Sequence, residues 1–265
     1  MVIHSKQRVM QCLFLLTFGI LCPDGNAQAT EGQVAQTSVP IDKISASIRL
    51  MGGSAPKDSL ATANVTITAG RTTEIGKMRI VTFGTTQTLE EVDVPSGVKR
   101  RVFTQDQLRD NRKNKGNGLS FEDSLSAQSP LFPLPWLSAK ATGSDLQIEN
   151  AGTDKVGNTD CQHLRLSRAW QSDNTLKAYA KFTEADLWLD SNTGLPAKIA
   201  FERRSGWGAV PAIPVAVEYS DYRTVDGILY PFHIKQYVNG TLWADIHVQD
   251  VRFNAGISAS EFSTQ

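Results

Sequence analysis

Apolar and polar residues alternate along most of this chain, and the alternation constrains the fold more than any other feature. Within residues 61–69, Ala63, Val65 and Ile67 alternate with polar side chains, and residues 185–203 repeat the pattern. A period of two places successive side chains on opposite faces of a strand, so each strand has one apolar face and one wetter face. The pattern therefore predicts an antiparallel sheet.

Short turn motifs separate the alternating segments. Asp226-Gly227 and Asn239-Gly240 are pairs typical of two-residue hairpin turns, and Pro95-Ser96-Gly97 is a further turn signal between two strands. We count about ten strands, and closely spaced strands joined by tight turns are typical of a sandwich or a barrel. The helical segments are too few to cover both faces of a parallel sheet. The predicted fold class is mostly β (α+β), with a few short helices that cover the concave face of one strongly curved antiparallel sheet.

Two apolar segments outside the strands can provide this cover. Asp42 can cap a helix that places Ile44 and Ile48 on one face. Residues 130–137 contain three prolines, which exclude the interior of a strand, and five large apolar side chains, which exclude a fully solvated loop. We predict that they form a short helix or a buried apolar plug around Trp136.

Residues 1–29 have the pattern of a cleavable secretory signal peptide. A positively charged start precedes a short apolar run at residues 12–21, and Ala27-Gln28-Ala29 has the small-x-small pattern that signal peptidase needs. The run is shorter than the roughly 20 apolar residues that span a membrane, which disfavours an uncleaved anchor. Lipidation at Cys22 is an alternative, although a lipoprotein signal has a small residue where this chain has Leu21.

The exported part of the chain is predicted to hold a single domain. Residues 30–40 are polar and without periodicity, as in a flexible leader, and residues 41–265 form the domain. Residues 104–139 are predicted to be an irregular, lid-like insert within it. Cleavage leaves Cys161 as the one cysteine, so no internal disulfide can form, and we predict that it is a small buried side chain.

The sequence carries no recognised catalytic motif. It has no Gly-x-Ser-x-Gly elbow, no His-Glu-x-x-His, no phosphate-binding glycine loop and no Cys-x-x-Cys pair. His233 and His247 lie on neighbouring predicted strands, and with Asp245 or Asp221 they could bind a metal ion. Both lie opposite the apolar residues of their strands, which favours exposed strand histidines. We therefore predict a protein that is not an enzyme and has no cofactor and no metal.

One hairpin carries a resemblance to a known family. Residues 187–196 (LWLDSNTGLP) resemble the hydrophobic-W/Y-L-D-x-x-T-G-L-P hairpin of periplasmic outer-membrane lipoprotein-sorting (LolA/LolB-like) proteins. Residues 218–231 are similar to the Y-x-D-Y-R-x-V-D-G segment that follows it, and the ending with Asn254 and Phe262 also fits. The resemblance covers residues 185–262 well. It extends loosely upstream to secreted members of this class, which are common in Acidobacteria-like bacteria.

The resemblance implies a half-open antiparallel β-barrel closed by helices, in the periplasm of a Gram-negative cell. It implies a non-catalytic protein that binds lipid or lipoprotein acyl chains. The matched residues lie in hairpins and turns, so no ligand-binding residue of the family is carried over. Two alternatives stay open. One is an envelope sensor or scaffold that binds another protein through an open sheet edge or the basic residues 109–115. The other, ranked last, is a hydrolase that uses His233 or His247.

The predicted ligand site is an apolar cavity between the curved sheet and the segments that cover it. The candidate lining residues are Val65, Ile67, Trp136, Leu187, Leu189, Ile199, Val217, Ile234 and Ile246. Trp188 and Trp243 project from the wetter faces of their strands, and we expect them to pack against the protein rather than to stack on a ligand. Acidic and basic residues number 27 each, and no later stretch is apolar enough to cross a membrane, so neither nucleic acid nor a transmembrane segment is expected.

Overall fold

The computed structural model describes residues 31–104, 107–110, 125–126, 128–143, 145–171, 174–204 and 211–263. The predicted signal peptide lies outside these residues. Twelve β-strands lie within them and form one sheet. They are β1 (Asp58–Ala69), β2 (Thr72–Phe83), β3 (Gln87–Val94), β4 (Gly97–Thr104), β5 (Gln107–Asp110), β6 (Leu146–Val156), β7 (Thr159–Arg168), β8 (Ala185–Asp190), β9 (Pro196–Arg203), β10 (Ile213–Val225), β11 (Ile228–Val238) and β12 (Thr241–Phe253).

The sheet is antiparallel throughout and does not close. Its strand order is β5-β4-β3-β2-β1-β12-β11-β10-β9-β8-β7-β6, so β1 pairs with β12 in the middle while β5 and β6 are the two edges. This arrangement confirms the predicted half-open barrel. The strands number twelve, where the sequence pattern predicts about ten. One of them, β5, lies in the segment 104–139 that the sequence predicts to be irregular, and it pairs with β4.

The two hairpin turns near the C-terminus form as predicted. Val225 pairs with Ile228 and Val238 pairs with Thr241, so each turn has two residues between its strands. Both residues of each turn have positive φ: 46° and 80° in Asp226-Gly227, and 49° and 72° in Asn239-Gly240. This is the geometry of a type I′ turn, which Asn-Gly and Asp-Gly pairs adopt most readily. The turns fix the register of β10, β11 and β12.

Helix α1 (Glu31–Leu50) is longer than the sequence predicts. It begins at Glu31 and not at Asp42, so the segment predicted as a flexible leader is helical. Residues 31–40 show no apolar periodicity and Pro40 lies inside the helix, so neither the pattern nor the helix propensity of these residues indicates this part. The end is as predicted: Gly53 N donates to Ile48 O over 2.9 Å, and Gly52 and Gly53 have positive φ.

Helix α2 (Pro133–Ala141) and the residues before it fill the space above the sheet. Leu131, Phe132, Leu134 and Leu137 are each no more than 2% exposed. Together with Ile44 of α1, they pack against the apolar face of the sheet, which we call the inner face. The predicted apolar plug is therefore present as a helix that begins with a proline. In the part of the chain that the structure describes, no helix has the length and apolarity needed to cross a bilayer.

Two smaller clusters lie on the outer face of the sheet. Val81, Leu89 and Val102 pack under the C-terminal 3-10 helix through Phe262. Cys161 packs with Trp188 and Ala197 and is fully buried, as predicted. Burial also raises the pKa of the Cys161 thiol. This thiol therefore acts as a small apolar side chain in the structure.

Candidate ligand cavity

A cavity of about 290 Å³ lies beside α2. Its walls come from the start of β3, the end of β4, α2 with the residues that precede it, and the paired ends of β6 and β7. β4 neighbours the edge strand β5, and β6 is the opposite edge, so the cavity lies where the barrel fails to close. Ligand pockets typically range from about 300 to 1,000 Å³, so this one is at the small end.

Apolar side chains form one wall of the cavity. Phe103 comes from β4, Phe132 and Trp136 come from the plug, and Leu146 is the first residue of β6. Trp136 is 9% exposed, and its indole Nε1 donates to Gln128 Oε1 over 3.0 Å. This hydrogen bond fixes the ring against the cavity, because the donor would otherwise be buried without a partner. The wall can therefore contact hydrocarbon without rearrangement of Trp136.

Two cations face this apolar wall. Lys140 lies one helical turn after Trp136, and its Nζ is 5.2 Å from the centre of the Trp136 ring. Within the described residues, no carboxylate lies within ion-pair distance of Lys140. Arg168 ends β7; its Nη2 is 3.7 Å from Asp145 Oδ2, and its Nε is buried without a hydrogen-bond partner. The cavity thus combines an apolar wall with positive charge that the protein neutralises only in part.

The charge on Lys140 is held in an unfavourable environment. Burial, together with the nearby Arg168 charge, lowers the pKa of Lys140 to about 8. An anion bound between the two cations would relieve both effects, since it would pair with the ammonium group and screen the repulsion. The electrostatics of the cavity therefore favour a ligand with a negatively charged end.

The structure separates the nine predicted lining residues into two groups. Trp136 lines the cavity. The other eight lie together on the inner face of the sheet, each no more than 4% exposed, and are not part of the lining that the described residues form. They share one buried cluster with Ile44 of α1 and with Leu134 and Leu137 of α2. They are Val65, Ile67, Leu187, Leu189, Ile199, Val217, Ile234 and Ile246.

Sequence reasoning missed most of the residues that do line the cavity. Lys140 is four positions after Trp136, so a helix through the plug places both on one face, and this spacing could have identified it. Arg168 carries no such signal. It reaches the site because β7 ends beside α2, and that contact joins segments with no common local pattern. The basic segment 109–115 cannot be compared with the prediction, since its side chains lie outside the described part.

Trp188 and Trp243 pack against the protein, as predicted. Trp188 is 8% exposed; its ring stacks on His163 with centroids 4.3 Å apart, and Lys198 Nζ lies 4.7 Å above it. Trp243 packs against the main core and lies under the Arg101 guanidinium, whose Cζ is 4.9 Å from the ring centre. Neither ring lines the cavity.

Several solved structures align with this chain, and the first of them shares its fold. A LolA superfamily protein from Nitrosomonas europaea aligns with a TM-score of 0.52 over 85% of this chain and 98% of that chain, at 13% identity. A DUF1329 family protein from Desulfovibrio piger gives 0.49 over 86% and 97%, also at 13% identity. A domain assigned to an outer-membrane lipoprotein-sorting protein from Vibrio parahaemolyticus gives 0.47 over 85% and 97%, at 12% identity.

The first of these alignments defines a class by fold. The chain has a LolA-like half-open β-barrel, and the resemblance read from its hairpin motifs is confirmed at that level. No protein-family model and no curated protein matches the sequence. What the protein binds must therefore be argued from its own cavity.

Proposed function

We propose that this protein is a non-catalytic binding protein of the bacterial envelope whose ligand is an acyl chain of a lipid or lipoprotein. One observation carries the proposal: the cavity beside α2 sets an apolar wall against two cations, Lys140 and Arg168. Hydrocarbon placed against Phe103, Phe132 and Trp136 would leave water, which is favourable by about 25 cal/mol per Å². The two cations favour an acyl ligand that ends in a carboxylate or a phosphate.

The size of the cavity suggests how a long chain would enter. A volume of about 290 Å³ holds only part of a long acyl chain. Beneath the helices, the inner face is filled by the core cluster that contains the eight buried candidate residues. We infer that α2 is a plug that a longer chain displaces, and that inner-face residues such as Leu187 and Ile199 then become lining. The eight inner-face candidates would then line the inner end of a larger ligand site.

Removing the Lys140 charge is expected to weaken binding of a fluorescent fatty acid by about 10- to 100-fold, because a charge-assisted hydrogen bond contributes roughly 1.5–3 kcal/mol. The measurement is a titration with dansylundecanoic acid of wild type and Lys140→Met. Lys57→Met is the matched control, since it removes the same charge from an exposed position outside the cavity. Equal affinity of all three proteins for the fatty acid would contradict the proposal that the ligand has an anionic end.

The pH dependence of the same titration gives an internal check. Lys140 is charged below its pKa of about 8 and neutral above it, so affinity should fall as pH rises from about 7 to 9. Lys140→Arg keeps its charge over this range and should bind with little dependence on pH. If wild type takes up no fatty acid and native mass spectrometry shows only the apo mass, the acyl-binding function itself is wrong.

Placement in the envelope is proposed from residues 1–29. We expect protein recovered from the periplasm of a Gram-negative host to begin at Thr30, because signal peptidase cleaves after a small-x-small pattern such as Ala27-Gln28-Ala29. Intact mass measures the start directly. Cys22→Ser should leave the product unchanged. A product that begins at Cys22 and carries a lipid would show the lipoprotein route instead.

A further inference from the structure

We propose that His233, Asp245 and His247 form a binding site for a divalent transition metal on the outer face of the sheet. His233 on β11 and His247 on β12 are direct cross-strand partners. Asp245 lies two residues before His247 and so projects from the same face. Among the described residues, this is the group of histidine, cysteine and acidic side chains close enough to share a metal ion.

The three side chains converge on one point. His233 Nε2 lies 2.7 Å from Asp245 Oδ1, and His247 Nε2 lies 3.4 Å from the same oxygen. The two imidazole rings stack with their centres 4.3 Å apart. One donor atom from each residue lies within 4.8 Å of the others. In a tetrahedral zinc site the metal–ligand distances are near 2.0–2.2 Å, which sets ligand atoms on the order of 3.4 Å apart. Small side-chain rotations would therefore seat an ion.

The surroundings of His233 support coordination through Nε2. Its other ring nitrogen, Nδ1, lies 3.3 Å from Ser220 Oγ. With an ion on Nε2, Nδ1–H can donate to this hydroxyl, and without one Nε2–H can donate to the Asp245 carboxylate at 2.7 Å. A metal-bound histidine commonly has its second nitrogen held in this way.

The ligand chemistry indicates the class of metal. Two imidazoles and one carboxylate suit Zn²⁺, Cu²⁺ and Ni²⁺, whereas Ca²⁺ and Mg²⁺ prefer oxygen ligands alone. Asp221, the other carboxylate that the sequence offers, does not take part. It pairs with Arg223, whose Nη2 is 2.5 Å from Asp221 Oδ2. Three protein ligands leave a coordination position for water.

The site is independent of the proposed acyl-binding function. It lies on the outer face, while α2 and the cavity are on the inner side of the sheet. An ion held between β11 and β12 would link two neighbouring strands near the middle of the sheet. We expect it to stabilise the folded chain, because an ion that binds only the native state shifts the folding equilibrium.

Isothermal titration of the untagged, processed protein with ZnCl₂ tests the proposal. We expect one ion per chain, and we expect His247→Gln and Asp245→Asn each to weaken binding by at least about tenfold. His163→Gln is the matched control. His163 also lies on the outer face with its Nε2 2.7 Å from a carboxylate, that of Asp186, but the described part of the chain places no third donor beside it.

Thermal unfolding provides a second readout that does not depend on heats of binding. At the same Zn²⁺ concentration, the melting temperature should rise clearly less in His247→Gln than in wild type and His163→Gln. The proposal is overturned if wild type shows no saturable binding of Zn²⁺, Cu²⁺ or Ni²⁺. It is also overturned if His247→Gln and Asp245→Asn bind as tightly as the control.

Discussion

Replacing Leu134 with alanine is expected to lower the free energy of unfolding by about 2–5 kcal/mol. Leu134 is fully buried between α2 and the inner face of the sheet. The substitution removes apolar contacts and leaves a void in a region packed from both sides, where little relaxation is available. Urea denaturation followed by far-UV circular dichroism measures the change. We expect so large a loss of stability because Leu134 and the rest of the plug belong to the main core.

Leu50→Ala is the matched control for this prediction, since it removes the same atoms from a side chain that is 51% exposed. It should cost less than about 1 kcal/mol. If Leu134→Ala costs no more than Leu50→Ala, α2 does not pack on the sheet in solution, and its description as a plug is wrong. A large loss combined with increased uptake of dansylundecanoic acid would support the proposed displacement of α2 by a ligand.

Replacing Arg101 with methionine is expected to cost about 3–5 kcal/mol, because it leaves a buried carboxylate without its counter-charge. Glu90 and Arg101 are cross-strand partners on the inner face, and Arg101 Nη2 lies 2.8 Å from Glu90 Oε2. The Glu90 side chain is only 2% exposed. Ser129 Oγ donates to the other carboxylate oxygen at 2.5 Å, so this pair also anchors the residues that lead into α2. Urea denaturation again gives the measurement.

Two comparisons separate the buried charge from other effects. Arg79→Met breaks a cross-strand pair of the same type with Glu91, at 2.9 Å, but Arg79 is 39% exposed. It should cost less than about 1 kcal/mol. The double variant Arg101→Met with Glu90→Leu removes both buried charges and should regain most of the lost stability. If the double variant is as unstable as Arg101→Met alone, the loss of stability comes from the contact of Arg101 with Trp243 and not from the buried charge.

The sequence predicts the fold well where local chemistry decides the structure. Alternation assigns the inner and outer faces of the strands, and Asp226-Gly227 and Asn239-Gly240 set the register of the C-terminal hairpins. These features act within a few residues, so one sequence is enough to read them. The first turns of α1 and the short strand β5 were missed. Both lack a periodic apolar pattern, and β5 forms through its pairing with β4.

The candidate cavity depends on contacts between distant segments, and this is why the sequence predicted it only in part. Trp136 was identified because three prolines and large apolar residues surround it. Arg168 reaches the same cavity from the end of β7, and no local pattern links the two. The eight other candidates lie on the inner face of the sheet. Whether they line a cavity depends on how completely α1 and α2 cover them, and only packing decides that.

For the histidine pair, too, the sequence predicts what local chemistry decides but not what depends on other side chains. Cross-strand proximity of His233 and His247 follows from the Asn239-Gly240 turn, and the sequence predicts it. The choice between Asp245 and Asp221 as a third donor does not follow, because it depends on side-chain partners. Arg223 pairs with Asp221, whereas Asp245 contacts both histidines.

The central pairing of β1 with β12 sets the order in which this molecule can be assembled. Within β1–β5 and within β6–β12, strands adjacent in sequence are adjacent in the sheet. Each group can therefore form from nearby contacts. The two groups meet at one seam, where Ala61 pairs with Val251, and closing so long a loop is entropically unfavourable and slow. A chain synthesised from its N-terminus cannot complete the seam until β12 has emerged. The topology thus delays completion of the sheet until β12 is available to pair with β1.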